Sequence, residues 1–321
     1  MKRKLAVWRL ISQSLEANIP VILLYVMESK GSSPGRQGFS MAVNAAGDME
    51  GTIGGGIMEH KFVELAKQKL VNGDVEHAIR RQIHDKTSSL NQSGMICSGE
   101  QTIFIYRVSN KDQETVQLLV KCLDKNENGE LCISSEGLRF NDVVPVEDFK
   151  FAFQSDTQWY YSEKIGYSNH LYIIGAGHCS LALSRIMRNV DFYIHLYDDR
   201  PDLNTFLDNE YAHQKQIIAD YSALDKIDFY GCNNYVVVMT FGYRTDDIAI
   251  KSLINKPFKY FGLLGSKNKV EKMFSDYKSI GVDEKILERI YAPIGLDIKS
   301  ETPEEIAISI AAEIIKIKNK S

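Results

Sequence analysis

The N-terminal half of the chain mixes helical and strand-like spacings of its apolar residues. Segments with helical spacing have polar residues between the apolar ones, whereas the strand-like segments are either continuously apolar or alternate. Signals between 111 and 155 are weaker. The pattern therefore predicts a mixed α/β domain. In chain order its predicted elements are a helix over 2–17, a buried strand over 21–27, a hairpin over 39–44 and 49–52, a helix over 57–70, and a half-buried strand over 101–108.

A regular alternation of strands and helices begins near residue 170. Apolar segments alternate there with amphipathic helices, which is typical of a Rossmann-like doubly wound parallel sheet. The polar stretch Ser162 to Asn169 precedes it and predicts a boundary between a domain at 1–163 and a domain at 164–321. The predicted strands are 171–174, 192–197, 216–219, 235–239 and 260–264, and the predicted helices lie near 178–189, 246–254, 267–280 and 303–317.

Composition narrows the possible functions and locations of the protein. A formal net charge of −4 and a pI near 6.0 argue against a nucleic-acid partner. The longest apolar run, Ile19–Met27, is about half the length of a membrane span. Five widely spaced cysteines without a Cys-x-x-Cys pair argue against a disulfide framework and a structural zinc site. We therefore expect a cytoplasmic protein with no membrane partner.

The first strand and helix of the C-terminal half carry a nucleotide-binding pattern. Gly175, Gly177 and Ser180 follow an apolar strand and open a helix, and Asp198 and Asp199 follow the next strand. Glycines let the backbone approach a pyrophosphate, the helix N-terminus stabilises its charge, and the acid can hydrogen-bond a ribose hydroxyl. The alternative is a Rossmann domain that packs and binds nothing, or that binds only a partner.

His178 lies on this turn. It either contacts a phosphate or is an exposed turn residue, and the sequence leaves both open.

Two glycine-rich loops of the N-terminal half predict an anion or phosphate site. The first combines Ser32, Ser33 and Arg36 with glycine backbone, and the second has glycine at 54, 55 and 56 before a helix. Glu59 lies on the first turn of that helix. The alternative is that Gly54, Gly55 and Gly56 only make a sharp turn while Glu59 stabilises the helix N-terminus.

Cys97 stands on a loop before the strand at 101–108. An accessible thiolate there can be a soft-metal ligand or a nucleophile, although most lone cysteines are inert core residues. In the C-terminal half, Arg244, Gly265 and Ser266 follow later strands, where ligands of such sheets lie.

The motifs together resemble the xanthine dehydrogenase accessory proteins of the XdhC/CoxI type. The resemblance covers nearly the whole chain in order and runs through Gly31-Ser-Ser-Pro, Gly51-Thr-Ile-Gly-Gly-Gly-Ile-Met-Glu59, Met95-Ile-Cys-Ser-Gly99, Ile174-Gly-Ala-Gly-His178, Tyr197-Asp-Asp-Arg-Pro201, Leu264-Gly-Ser-Lys267 and Ala292-Pro-Ile-Gly-Leu-Asp297.

This resemblance implies an N-terminal XdhC/CoxI domain, a C-terminal Rossmann domain and a homodimer. It further implies a chaperone that binds the molybdenum–pterin cofactor (molybdopterin), supports its sulfuration and delivers it to a xanthine dehydrogenase-type molybdenum hydroxylase, with sulfur from a cysteine desulfurase. Cys97 would hold the cofactor and its metal. The family's usual Cys-Gly-Gly reads Cys97-Ser-Gly99 here, which alters how closely backbone and cofactor approach.

Two other functions remain as alternatives to the chaperone. An NAD-dependent oxidoreductase is compatible with Asp198, whose charge repels a 2′-phosphate, but no hydride-transfer residue is evident and we assign no catalytic residue. Substrate-dependent reduction of NAD would identify it. A nucleotide sensor or scaffold would instead change its affinity for a partner when NAD or another nucleotide binds.

Overall fold

The computed structural model describes residues 2–74, 77–83, 99–230 and 233–320. The chain divides into two compact units, Met1–Gly166 and Tyr167–Ser321. Within the described ranges, no helix combines the length and apolar character needed to cross a membrane.

Unit 1 is built on an antiparallel sheet with helices on both faces. Its central strand, β1 (Val21–Gly31), is continuously apolar from Val21 to Met27 because both faces are covered. Leu23 and Tyr25 pack beneath the helices α1 (Lys2–Glu16) and α3 (Gln113–Asp124), and Ile22 and Leu24 pack beneath α2 (Gly56–Asn72). Full burial of such a side chain contributes about 1.5–3 kcal/mol. The strands, in the order β3-β2-β1-β5-β4, are β1 Val21–Gly31, β2 Ser40–Asn44, β3 Met49–Gly51, β4 Ala78–Ile83 and β5 Gly99–Val108, and the helices are α1 Lys2–Glu16, α2 Gly56–Asn72 and α3 Gln113–Asp124.

A second antiparallel sheet completes unit 1 where the sequence signals are weak. Ser162 and Glu163 lie in its strand β9 (Gln158–Ile165) and are buried, although the sequence places them in a polar boundary stretch. The Lys4 ammonium and the Tyr161 hydroxyl both donate to Glu163, so the polar residue belongs to the core. The strands, in the order β7-β6-β9-β8, are β6 Gly129–Ser134, β7 Gly137–Asn141, β8 Phe149–Ser155 and β9 Gln158–Ile165.

Unit 2 is a six-stranded parallel sheet and confirms the predicted doubly wound architecture. The strand order β12-β11-β10-β13-β14-β15 corresponds to the Rossmann order 3-2-1-4-5-6. One face packs against α4 (His178–Asn189) and α9 (Pro303–Lys318), and the other against α6 (Tyr243–Leu253) and α7 (Lys267–Ser279). The strands are β10 Asn169–Ile174, β11 Phe192–Asp198, β12 Gln214–Ile217, β13 Asn234–Val238, β14 Tyr260–Leu263 and β15 Ile290–Tyr291, and the helices are α4 His178–Asn189, α5 Asn204–Leu207, α6 Tyr243–Leu253, α7 Lys267–Ser279, α8 Glu284–Leu287 and α9 Pro303–Lys318.

Candidate functional site

Three glycine-containing segments of unit 1 meet at one place, which we call the glycine junction. A Cβ on Gly54 would lie 2.4 Å from the backbone nitrogen of Gly35, and a Cβ on Gly99 would lie 2.6 Å from that of Ser33. Real Cβ atoms do not approach backbone this closely, so the contacts require glycine. The glycine junction consists of Ser33–Gly35, Ile53–Gly55, Gly99 and Gln101.

Gln101, on β5, hydrogen-bonds to two of the loops that form the glycine junction. Its side-chain Nε2 donates to the carbonyl of Gly35 at 2.8 Å and to that of Ile53 at 3.4 Å. The side chain is buried. The sequence did not predict this residue as part of the site, because its partners Gly35 and Ile53 lie 66 and 48 positions away in the chain.

Glu59 is directed into the loop that it follows. Its Oε2 accepts from the Thr52 hydroxyl at 2.5 Å, from the Ile53 N–H at 2.9 Å and from the Gly55 N–H at 3.0 Å. Burial raises the pKa of Glu59, but these hydrogen bonds outweigh burial and hold the pKa below its usual value. The backbone N–H groups that were expected to bind an external anion therefore donate to the carboxylate of Glu59.

The polar side chains of the first loop divide between the interior and the surface. The buried Ser33 hydroxyl donates to the Gly35 carbonyl at 3.1 Å, whereas Ser32 is exposed. Arg36 is also exposed, and its Nη1 donates to the Gly31 carbonyl at 3.2 Å. Ser32 and Arg36 thus remain accessible to a ligand.

Cys97 lies outside the described residues, and its predicted role as a cofactor and metal ligand stays a prediction. In the described ranges, no group of three or more His, Cys, Asp or Glu side chains is arranged to hold a metal. Burial raises the pKa of Cys122 to about 11 and also raises the pKa values of Cys132 and Cys179. These three cysteines are held as neutral thiols, as expected for packing residues.

In unit 2, the predicted phosphate-binding turn joins β10 to α4. The buried Ser180 hydroxyl donates back to the Gly175 carbonyl, which fastens the helix to the turn. A Cβ on Gly177 would meet no atom within 4 Å, so this side of the turn is open. His178 is the first residue of α4 and is exposed.

Asp198, predicted to bind a ribose hydroxyl, is fully buried and bonded to protein donors at both oxygens. It accepts from the Ala176 N–H at 2.6 Å and from the Nε and Nη2 atoms of Arg200, each at 2.8 Å. Burial raises the pKa of Asp198, but the Arg200 and Ala176 bonds prevail and hold it low. The carboxylate therefore fixes the glycine turn and Arg200.

The later strands of unit 2 bring further predicted residues to the same edge of the sheet. Arg244 is exposed on the first turn of α6. The Ser266 side chain, next to Gly265, caps α7 by accepting from the Lys269 N–H at 3.3 Å. Asp246 is buried and accepts from the Thr240 N–H at 3.0 Å and from the Lys269 ammonium. Because parallel strands end at one edge, these groups lie at the edge of the sheet where the sequence predicts a nucleotide site.

Two family models match the chain. The model described as the XdhC and CoxI family matches residues 14–81, and the model described as the XdhC Rossmann domain matches residues 171–314.

Individual relatives extend the match over nearly the whole chain. An uncharacterized protein of Escherichia coli (strain K12), YqeB, is 28% identical over 312 residues, which are 95% of this chain but 45% of that protein. A protein of Bacillus subtilis (strain 168) described as a probable xanthine dehydrogenase subunit is 23% identical over 95% of this chain and 96% of its own length. The crystal structure of a xanthine dehydrogenase from Bacillus halodurans shares the fold, with a TM-score of 0.71, 20% identity and coverage of 98% of this chain and 97% of that one.

Proposed function

The chain belongs to the XdhC and CoxI family, and on that basis we propose that it is an accessory chaperone for a molybdenum hydroxylase. It binds the molybdenum–pterin cofactor, supports the sulfuration of that cofactor with sulfur from a cysteine desulfurase, and delivers it to a xanthine dehydrogenase-type enzyme. It acts as a homodimer and is a maturation factor more than a catalyst.

The observation that carries this proposal is the glycine junction. The loop with Ser32 and Arg36, the Gly54–Gly56 loop and the start of β5 come together without intervening side chains. The Cβ positions of Gly54 and Gly99 are occupied by the protein's own backbone, but a Cβ on Gly55 would meet no atom within 4 Å, so a rigid polar ligand can approach the backbone closely there. This favours unit 1 as the place where the cofactor is held.

The groups present suit a ligand with a phosphate, a polar ring system and soft sulfur and metal atoms. The exposed Ser32 hydroxyl and Arg36 guanidinium can bind phosphate or ring oxygens. Cys97 lies two positions before Gly99, a separation that an extended chain spans in about 7 Å, so a cofactor held at the glycine junction would be within reach of its thiolate. Bound there, the cofactor would supply the molybdenum and sulfur chemistry used later by the client enzyme.

Titration of the reduced, full-length protein with molybdenum–pterin cofactor under anaerobic conditions tests the proposal. We expect near-stoichiometric binding that is weakened about tenfold or more in Cys97→Ser, because removal of a metal-ligating thiolate costs more than about 1.4 kcal/mol. Cys179→Ser, which removes a half-buried thiol of unit 2, is the matched control and should bind normally. Absence of binding by the wild type would overturn the proposal, whereas equal binding by Cys97→Ser would remove only the role of the cysteine.

Delivery is tested separately with a xanthine dehydrogenase-type apoenzyme. Loaded chaperone should restore its activity faster than the same amount of free cofactor, and further still when a cysteine desulfurase and cysteine are supplied. Sedimentation of the loaded protein at several concentrations tests the homodimer.

A further inference from the structure

Strand β8 forms an open edge of the second sheet of unit 1. It is the last strand in the order β7-β6-β9-β8, and within the described ranges no strand pairs with its outer side. An open edge presents N–H and C=O groups to which another strand can bond, and proteins commonly protect such edges by making them short or charged. β8 is seven residues long and is therefore long enough to pair with another strand.

The other sheet edges of the described part of the chain are short or polar. β3 has three residues and β15 has two. β4 carries Arg80 and Arg81, β7 exposes Arg139, and β12 exposes Lys215 between two glutamines. β8 differs from all of them because phenylalanine occupies every second position of its first five residues.

The phenylalanines of β8 form an apolar row on one face of the sheet. Phe149 is 40% exposed and Phe153 is 49% exposed, and Phe151 between them is half-buried against Tyr161. The loop before the strand adds three exposed valines, Val143, Val144 and Val146. An apolar surface of this kind next to an open edge indicates an interaction site.

The hydrogen bonds of β8 show which of its backbone groups face outward. The Asp148 carbonyl accepts from the Lys164 N–H at 3.0 Å, and Phe149 lies opposite Glu163. In an antiparallel pair the residues that bond to a given neighbour alternate along the strand. The N–H and C=O groups of Phe149, Phe151 and Phe153 therefore point away from β9, towards the open side.

We propose that β8 is the surface through which two copies of this chain associate. The two β8 strands pair in an antiparallel manner about a two-fold axis at Phe151, which joins two four-stranded sheets into one. Phe149 of each copy then lies opposite Phe153 of the other, and the three pairs exchange about six main-chain hydrogen bonds. This inference names the interface of the proposed homodimer and rests on that part of the proposed function.

A second copy fits this edge because the strand is complementary to itself in this register. Phenylalanine pairs with phenylalanine at each outward-bonding position, and such cross-strand aromatic pairs stabilise a sheet. Lys150 lies opposite Ala152 of the second copy, and Asp148 lies opposite Gln154, so no like charges are opposed. A register centred on Lys150 would instead place the two Lys150 ammonium groups opposite each other, which disfavours it.

Sedimentation equilibrium of the full-length protein without cofactor tests the proposal. The wild type should be a dimer with a dissociation constant of about 1 μM or lower. Phe149→Lys combined with Phe153→Lys opposes two lysines at two points and should weaken the dimer about a hundredfold or more. Phe149→Glu combined with Phe153→Lys opposes glutamate and lysine at the same two points, so it should recover at least about tenfold of that loss.

Controls separate association from folding. Val71→Lys, which replaces an 86% exposed apolar residue of α2, should sediment like the wild type. Circular dichroism and the urea midpoint establish that each variant is folded, and Phe153→Lys alone, which should weaken the dimer about tenfold, serves if a double variant does not fold.

A wild type that stays monomeric at about 100 μM would overturn the proposal and leave the edge to a strand of a different protein. A folded lysine variant that dimerises like the wild type would also overturn it, as would equal weakening by both double variants, since the register is part of the proposal. Cofactor binding is measured separately. A monomer that binds the cofactor would therefore refute only this interface, and a dimer that does not bind it would refute only the chaperone.

Discussion

A single carboxylate oxygen of Glu59 gathers the donors of the Gly54–Gly56 loop. The hydroxyl of Thr52 and the N–H groups of Ile53 and Gly55 all meet Oε2. A glycine loop before a helix is commonly interpreted as a binding site for external anions. Here the same geometry supports the loop from inside the protein.

We expect Glu59→Gln to lower the free energy of unfolding of unit 1 by about 1–3 kcal/mol, because charge-assisted hydrogen bonds become neutral and one donor loses its acceptor. Urea unfolding of the purified variant measures this. Glu64→Gln, on the same helix, removes an exposed carboxylate paired with Lys67 and should leave the unfolding free energy close to that of the wild type, because exposed ion pairs contribute little to stability. Equal midpoints for both variants would contradict the structural role of Glu59.

Asp198 and Asp199 are adjacent in sequence but differ in their expected contribution to stability. We expect Asp198→Asn to lower the free energy of unfolding of unit 2 by about 1.5–3 kcal/mol, since it weakens bonds to Arg200 and Ala176. Asp199→Asn, at the surface, should unfold like the wild type. Because the folded pKa of Asp198 lies below the usual Asp value, its stabilisation is complete above that value and is lost as pH falls through the folded pKa. Unfolding curves of the three proteins between neutral and acidic pH check both points.

At the scale of elements, a chain of side-chain hydrogen bonds joins three parallel strands of unit 2. His195 of β11 donates from Nδ1 to Gln214 Oε1 of β12 at 3.0 Å, so its Nε2 accepts from His170 Nδ1 of β10 at 3.1 Å. The His195 ring also stacks on Tyr172, with centroids 4.3 Å apart. A proton on Nε2 would face the Nδ1 proton of His170, so the folded protein holds His195 neutral.

This arrangement predicts an acid-sensitive sheet. Burial lowers the pKa of His195 to about 4, and the charges of His170 and His213 act in the same direction. A histidine in an unfolded chain has a pKa near 6.5. Between pH 6.5 and pH 4 the unfolded chain therefore binds a proton that the folded chain does not, so the free energy of unfolding decreases as the pH is lowered. We expect about 2 kcal/mol of this loss between pH 7 and pH 5 in the wild type and none of it in His195→Phe.

Urea unfolding at the two pH values measures the difference. His60→Gln, which changes an exposed histidine of α2, should retain the wild-type slope. An identical slope in His195→Phe would show that other groups set the pH dependence.

Local chemistry explains why some elements were predictable and others were not. The helix α9 begins as its sequence indicates: the Thr302 side chain accepts from the Glu305 N–H, and Pro303 occupies the first turn. Strand β9 gave no such signal, because its buried Glu163 is stabilised by Lys4, which lies 159 positions earlier in the chain. A polar residue that is satisfied by a distant partner looks like a surface residue in the sequence.

At the scale of the whole molecule, each unit has its own apolar core. The family and the Rossmann-like sheet were predictable, since the motifs that indicate them are short and local. The role of Gln101 was not, because it depends on residues that only folding brings close. The cofactor assignment therefore remains a proposal for the experiments above.

Because the chain divides into two compact units, we expect residues 167–321 to fold on their own. Their sheet is parallel and closed on both faces by helices of the same segment, so no strand of unit 1 is needed to complete it. The isolated segment should show one cooperative urea transition by circular dichroism. An insoluble segment, or one that unfolds without a transition, would show that unit 2 depends on unit 1.

The bond between Asp198 and the glycine turn has a consequence for protein engineering. In Rossmann domains that bind NAD, the acid after the second strand hydrogen-bonds the ribose, so its replacement is the natural first step towards a preference for NADP. In this protein the same replacement would release the backbone of Ala176 and the side chain of Arg200, so the glycine turn would be destabilised whatever the effect on a ligand.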